Sequence, residues 1–385
     1  MSVIIPKLRF SPQAPLLMHR RRAVFPIRKR SPSATSWPRV LVLRHSASLG
    51  GMGRAAEFFT PVVESCCRVV AVVSLSADRT GSMKFKATWS AGAAATVAAV
   101  VRCARVLTVM SPGAIYLPIS QWGMPLLRDA IITLLARAFR CAPVMHLHGS
   151  QLPARLRSNA FLRKALGGSH WLVLSENVAE DIRASGCRVA SVHVMRNPAP
   201  TGAVSPRPSD SGGPLRVGWL GTMHRSKGFD ILCDAVAGMK RTGVPVEFSV
   251  AGIRSDVPPH HMSCVDEDLG VLAPDKVHSF WSGVDVFVLP ARWAEGLPFV
   301  LLEGLQVGCA VAATWSPGSA ELFSRGCVEQ IDSTVESVTD FLTLCMADID
   351  GVRHRQQKAW EELRPLYDPD TVREAFSRIW RETNF

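Results

Sequence analysis

Short apolar runs alternate with helix-length stretches along most of this chain, and the rhythm stops once and restarts. RVLVLRH (39–45), RVVAVVS (68–74), AIYLPIS (114–120), PVMHLHG (143–149), HWLVLS (170–175) and VASVHVMRN (189–197) read as strands. Helical stretches lie between them at about 54–65, 127–140, 154–166 and 177–185. The Pro-, Gly- and Ser-rich segment APTGAVSPRPSDSGGP (199–214) then reads as a linker. After it the pattern resumes with strands 215–221, 246–252, 284–290 and 310–314 and helices at 229–243 and about 299–307. Strands separated by helices imply parallel sheets wound on both faces. The expected organisation is α/β: a basic arm over 1–39, one doubly wound unit over 40–198, the linker over 199–214, and a second unit over 215–368. A last amphipathic helix (369–385) is expected to pack back on the first unit. Two such units facing each other form one cleft, and ligands of these sheets bind beyond the carboxyl ends of the strands.

Composition excludes several classes. With 47% hydrophobic and 20% charged residues, the chain has the make-up of a globular protein. Its ten cysteines form no C-x-x-C pair, which argues against a zinc ribbon or a secreted disulfide framework and for a reducing compartment. The longest apolar candidate, Ala91 to Val101, is too short to span a bilayer and runs into Arg102 and Arg105. The net charge of +12 is concentrated in the arm, where nine Lys and Arg face no Asp or Glu over residues 1–39. The remainder sums to near neutrality, so the chain is not read as a nucleic-acid binder. The arm fits an extension outside the fold with Met18 as initiator, a tether to anionic lipid, or an organelle transit peptide.

The segment FVLPARWAEGLPFVLLEGLQVGCAVAAT (287–314) carries the most chemistry. An apolar strand ends at Pro290, a polar loop holds Glu295 and Gly296, and Pro298 sits where a helix begins. The first residues of that helix present backbone N–H groups, and with the helix dipole they suit a phosphate or pyrophosphate. Gly296 permits close approach of an anion to the backbone. Glu295 and Glu303 flank this position, and carboxylates beside an anion are suited to accepting hydrogen bonds from hydroxyls. An anion flanked by hydroxyls describes a nucleotide sugar.

E-G-L-P-F-V-L-L-E has the E-x7-E spacing of retaining GT-B glycosyltransferases and resembles glycosyltransferase family 4 (glycosyl transferases group 1). GWLGTMHRSKGFDILCDAV (218–236), VMHLHG (144–149), WLVLSENVAEDIRASG (171–186), VMRNPAP (194–200) and RVLVLRHSASLGGMGRAAEFF (39–59) are similar to further segments of that family, in order. The resemblance implies a GT-B fold, two Rossmann-like domains facing across a cleft. It also implies a hexosyltransferase-type enzyme that moves a sugar from a nucleotide-diphosphate donor to an acceptor hydroxyl with retention and without a metal or other cofactor. By the same resemblance, Glu303 binds the ribose, Glu295 the donor sugar and Lys227 the diphosphate. The backbone of Leu297, Phe299 and Val300 faces the donor, His148 sits beside the sugar, Gly50 and Gly51 line the approach, and the base is read near Val271. Where the family usually has Arg, this chain has Thr222, with Arg225 as a candidate substitute. Pro200 replaces the Asp that often ends the family's linker motif, which touches only the domain junction. The implied partners are a nucleotide sugar and a sugar or lipid-linked glycan acceptor. The implied setting is cytoplasmic, with peripheral contact to an anionic membrane, in surface polysaccharide or glycolipid assembly. A sugar-nucleotide epimerase on the same fold and a non-catalytic sugar-nucleotide binder are the alternatives.

Other motifs favour plainer readings. Gly51-Met52-Gly53-Arg54-Ala55-Ala56 matches a dinucleotide fingerprint, but it begins about five residues beyond the strand and lacks the acid that should follow the second strand; Asp78 comes late. Three D-x-D matches, at 266–268, 348–350 and 368–370, show how cheap that pattern is. His260-His261 reads as an exposed loop, and His146 as a packed residue sharing a strand face with His148.

Overall fold

Two parallel six-stranded sheets result from the alternation. The structure, a computed structural model, describes residues 38–44, 51–75, 89–201 and 213–383. Nearly all of the basic arm, most of the linker, Gly50 and Asp78 lie outside the described residues.

The first sheet is built from β1 (Arg39–Arg44), β2 (Arg68–Ser74), β3 (Ala114–Pro118), β4 (Ala142–Leu147), β5 (Ser169–Val173) and β6 (Val189–Val194). Their order is β2-β1-β3-β4-β5-β6, all parallel. The helices are α1 (Gly51–Cys66), α2 (Trp89–Met110), α3 (Gly123–Ala138), α4 (Leu152–Ser158), α5 (Ala160–Leu166) and α6 (Glu176–Arg183). Successive strand residues point to opposite faces, and the core divides accordingly. Leu41, Leu43, Ile115, Leu117, Met145 and Leu147 pack with α2 to α6, whereas Val40, Val42, Ala114, Tyr116 and Val144 pack with α1.

The second half continues with β7 (Leu215–Leu220), β8 (Met223–His224), α7 (Phe229–Arg241), β9 (Val246–Ala251), β10 (Arg254–Asp256), β11 (Glu267–Asp268), α8 (Pro274–Ser282) and β12 (Val286–Leu289). It ends with α9 (Phe299–Gln306), β13 (Ala310–Thr314), α10 (Ala320–Ser324), β14 (Glu329–Ile331), α11 (Val335–Leu363) and α12 (Pro369–Glu382). The second sheet runs β11-β9-β7-β12-β13-β14, all parallel, while β8 and β10 form a separate short ladder. Its strand order reverses between β7 and β12, so the crevice that this topology reserves for ligands opens at Leu220 and Leu289.

Several elements depart from the sequence pattern. The single helix expected over 154–166 is two, because Asn159 leaves the helical conformation and its side chain accepts from Leu162 N, capping α5. Helix α1 begins at Gly51 rather than Arg54. Helix α11 is interrupted at Asp348 (φ −153°), whose carboxylate accepts from Gly351 N at 2.9 Å and restarts the helix. This D-x-D match is therefore a helix joint. All ten cysteines are free and nine are buried.

Helix α12 crosses to the first sheet. Val372, Phe376, Ile379 and Trp380 join the core formed by α1 and the Val40/Val42 face, and Phe376 lies 6.0 Å from both Phe59 and Tyr116. The last residues of the chain thus help to cover the first sheet. Phe376 is 1% exposed, and Phe376→Ala is expected to cost about 3–5 kcal/mol, measured as a lower urea midpoint.

Candidate functional site

The loops leaving β7 and β12 meet at the switch point. Arg225–Lys227 form one 3₁₀ turn, ended by Gly228 in the left-handed conformation (φ 75°). A Cβ at 228 would overlap the Pro290 carbonyl oxygen, so glycine lets this turn lie against the end of β12. The contact brings Lys227 Nζ to 2.8 Å from Glu295 Oε1, with both side chains about one-third exposed. Helix α9 begins immediately after, at Phe299, with Pro298 as N-cap and no side chain capping its amides. Leu297 is buried; Phe299 and Val300 are half-buried.

Glu303, one turn into α9, is 2% exposed. Its Oε2 accepts from Trp281 Nε1 at 3.0 Å, and its Oε1 is paired with Arg54 of α1. The Arg54 guanidinium also lies 5.3 Å from the centre of the Phe299 ring. In this structure, then, both carboxylates expected to meet donor hydroxyls hold protein cations instead.

The carboxyl end of β4 faces this assembly. His148 is half-buried, and its ring lies 3.9 Å from that of His146 and 5.9 Å from Phe59. His146 is fully buried and shares a 2.7 Å hydrogen bond with the Tyr116 hydroxyl. Burial, together with neighbouring His148, holds His146 well below the usual histidine pKa. Just beyond, Ser150 Oγ donates to the carbonyls of Glu295 (2.7 Å) and Ala294 (3.1 Å), and Asn197 Nδ2 donates to that of Leu297 (2.8 Å). Gly296 is buried, and a Cβ on it would overlap the His148 carbonyl oxygen. The glycine expected to admit an anion thus admits the opposite half of the protein.

The remaining candidates sort as follows. Gly51 opens α1 and faces Phe299. Arg225, the candidate substitute for a cation at 222, has its Nε 3.6 Å from Asp230 Oδ2, and Asp230 is held more closely by Arg292 at 2.6 and 3.0 Å. Val271 is 42% exposed and follows β11, two strands from the switch point. Asp266 and Asp268 are paired with Lys240 and Arg254, and His261 Nε2 lies 3.3 Å from Asp234. Among the described residues no cluster of three or more metal-ligating side chains occurs. Sequence reading gave no role to Arg54, Trp281, Ser150, Asn197 or Tyr116. Arg54 and Asn197 stand inside segments singled out for their resemblance, while Trp281 lies on a helix the alternation left unread.

Residues 214–343 match the glycosyl transferases group 1 family. The matched stretch runs from the linker's last residue through β14 into α11. Over 168 residues the chain is 26% identical to the putative colanic acid biosynthesis glycosyltransferase WcaL of Escherichia coli (strain K12), a match covering 40% of this chain and 41% of that protein. The chain thus spans about two-fifths of the length of the curated relatives it matches. Anabaena Alr3699/HepE, crystallised in complex with UDP and glucose, superposes with a TM-score of 0.64 at 17% identity, covering 89% of this chain and 99% of that one. Sucrose-phosphate synthase from Thermosynechococcus elongatus superposes with a TM-score of 0.68 at 11% identity, covering 90% and 98%. The fold of the matched stretch and its partner sheet is GT-B.

The buried His146 gives a check on the site's inner wall. In the unfolded chain it titrates near ~6.5, whereas in the fold it stays neutral well below that. As pH falls through about 6.5 the unfolded state takes up the proton and the fold does not, so stability declines towards acid. His146→Gln is expected to flatten that decline in urea midpoints between about pH 6.5 and 5. His170 and His193, which burial also lowers, contribute to the slope that remains.

Proposed function

We propose that this protein moves a sugar from a nucleotide-diphosphate donor to an acceptor hydroxyl, with retention of configuration and without a divalent metal, in surface polysaccharide or glycolipid assembly. The observation that carries the reading is the convergence of Lys227, Glu295, Glu303 and the uncapped start of α9 at one switch point, opposite His148. The names of the relatives support it: WcaL is described as a colanic acid biosynthesis glycosyltransferase, and HepE was crystallised with UDP and glucose.

In this reading the diphosphate lies at the start of α9, against the amides of Phe299 and Val300 and against Lys227. Lys227 exchanges Glu295 for phosphate, which releases Glu295 to the hydroxyls of the donor sugar. Glu303 exchanges a protein partner for the ribose. His148 and Gly296 border the sugar, Gly51 borders the approach of the acceptor, and Val271 lies on the side of the base. The bond between the anomeric carbon and the β-phosphate oxygen breaks, and its electron pair leaves with the diphosphate. The acceptor oxygen bonds to the same face, and its proton passes to a phosphate oxygen. Lys227 and the helix amides hold the added negative charge.

A membrane contact follows from the first half rather than from the arm alone. The near-neutral body conceals a polarity: residues 40–198 hold 18 Lys and Arg against 7 Asp and Glu, and residues 199–385 hold 17 against 25. Between 89 and 175 the single carboxylate is Asp129, buried and paired with Arg128. Arg137, Arg140, Arg155 and Arg157 are exposed on α3, its C-terminal end and α4, and Leu134, Phe139 and Phe161 are exposed among them. Basic residues near an anionic bilayer contribute ~1 kcal/mol each. Among the described residues no helix is long and apolar enough to cross a membrane.

Incubation with UDP- and GDP-hexoses is expected to release nucleoside diphosphate only when a glycan or glycolipid acceptor is present, with turnover unchanged by EDTA. Release without acceptor, or a free epimer, would replace this reading with the epimerase. Lys227→Ala is expected to lower kcat/KM by about 10²–10³. Glu295→Gln frees Lys227 and is expected to bind UDP more tightly than the unaltered chain while turning over more slowly. For the membrane contact, co-sedimentation with phosphatidylglycerol vesicles but not with phosphatidylcholine vesicles is expected to persist after removal of residues 1–37 and to weaken in salt.

A further inference from the structure

The proposed donor needs more positive charge than the C-terminal half provides. A nucleotide sugar carries two negative charges on its diphosphate, and the leaving diphosphate carries a third. On the β7–α7 side, position 222 is neutral, Arg225 faces Asp230, and Arg292 is bonded to Asp230 and to the Arg225 carbonyl. Lys227 of that segment is bonded to Glu295 at the site. Across the cleft stands Arg54. It is paired with Glu303 and packed over the ring of Phe299, the first residue of the helix that would receive the phosphates, yet its side chain is still 43% exposed.

We propose that Arg54 is the second cation on the donor diphosphate, supplied by the N-terminal half opposite Lys227. The inference rests on the donor reading above and adds a residue to it. The free protein holds two ion pairs at the cleft, Lys227 with Glu295 and Arg54 with Glu303. A nucleotide sugar offers each member a better partner: its phosphates suit the two cations, and its sugar and ribose hydroxyls suit the two carboxylates. Both pairs open in the same exchange. Because Arg54 opens from α1 and Lys227 from the β7–α7 turn, the diphosphate is then bonded by both halves. The arginine fork can take two phosphate oxygens at once.

The test compares UDP with uridine, and GDP with guanosine, by calorimetry on the full chain. The quantity read is the affinity gained from the diphosphate, which is the ratio of the nucleoside Kd to the nucleoside-diphosphate Kd. Arg54→Ala is expected to reduce that ratio by about 10- to 100-fold. Arg54→Gln, which keeps the length and loses the charge, serves the same comparison if the alanine variant unfolds early. A ratio unchanged or raised in Arg54→Ala and Arg54→Gln overturns the proposal and leaves Arg54 as a latch that competes with the ribose. If the unaltered chain binds none of these diphosphates, the donor reading itself fails, and this appears before any variant is made.

Discussion

The cleft has its present form because backbone meets backbone at Gly296. A Cβ on Gly296 would overlap the carbonyl of His148 at the end of β4, and a Cβ on Gly318 after β13 would overlap the backbone of Gly296 from its other side. Once the chain is this close, the carbonyls of the loop become accessible to donors from the other half. Ser150 and Gln151 take those of Ala294 and Glu295, and Asn197 takes that of Leu297. The loop before α9 therefore spends its acceptors on protein. What it leaves towards the cleft is a carboxylate, Glu295, and the uncapped amides of a helix N-terminus. A loop with these acceptors free would repel an anion, so tying them down is part of making the position suitable for phosphate.

Charge works across the same boundary. Among the described residues two ion pairs join the halves, Arg54 with Glu303 and Arg196 with Glu321, and both place the arginine on the N-terminal side and the glutamate on the C-terminal side. That matches the excess of basic residues before the linker and of acidic residues after it. The two pairs differ in setting. Arg196 is bidentate on Glu321, which Tyr367 also bonds at 3.0 Å, and the pair lies beside the point where the chain passes between halves. Arg54 and Glu303 stand in the cleft, on a carboxylate almost wholly removed from water. A buried carboxylate without a partner is costly, so Glu303 requires a cation or a set of hydroxyl donors at all times, and its occupant reports on the state of the cleft.

How much of this was legible follows from sequence distance. Glu295 and the start of α9 could be singled out because each lies just past a strand in a loop whose geometry is local, whereas Lys227 was singled out only through the family resemblance; both sheets followed from the alternation of apolar runs. Arg54 and Glu303 are 249 residues apart, Ser150 and Glu295 are 145, and Asn197 and Leu297 are 100. No periodicity joins such pairs. Gly296 was visible as a glycine, but its steric need could not be read, since it is set by β4 rather than by its own loop. The basic surface was hidden by summation: a total near zero over 40–385 says nothing about two halves of opposite sign. Helix α2 was passed over because its alanine-rich first turns and its two arginines were weighed only as a membrane span.

The halves share little apolar surface. Of the described buried residues that form the core of the second sheet, Leu174 comes from before the linker and Ala199 from its first position. The exception, α12, belongs to the first sheet's core although it follows the second sheet in sequence. The chain returns to it beside the earlier crossing, where Ala199 N donates to the Tyr367 carbonyl at 2.8 Å. Covalent connection is thus gathered at one place, while the contacts around Gly296, Glu303 and Pro317 are hydrogen bonds and ion pairs. Separating apolar faces would expose them to water at about 25 cal/mol per Å², whereas polar groups recover hydrogen bonds from solvent or from a polar ligand. An interface made this way exchanges partners at small net cost, which is what the proposed binding and release of a charged, hydroxyl-rich donor would require.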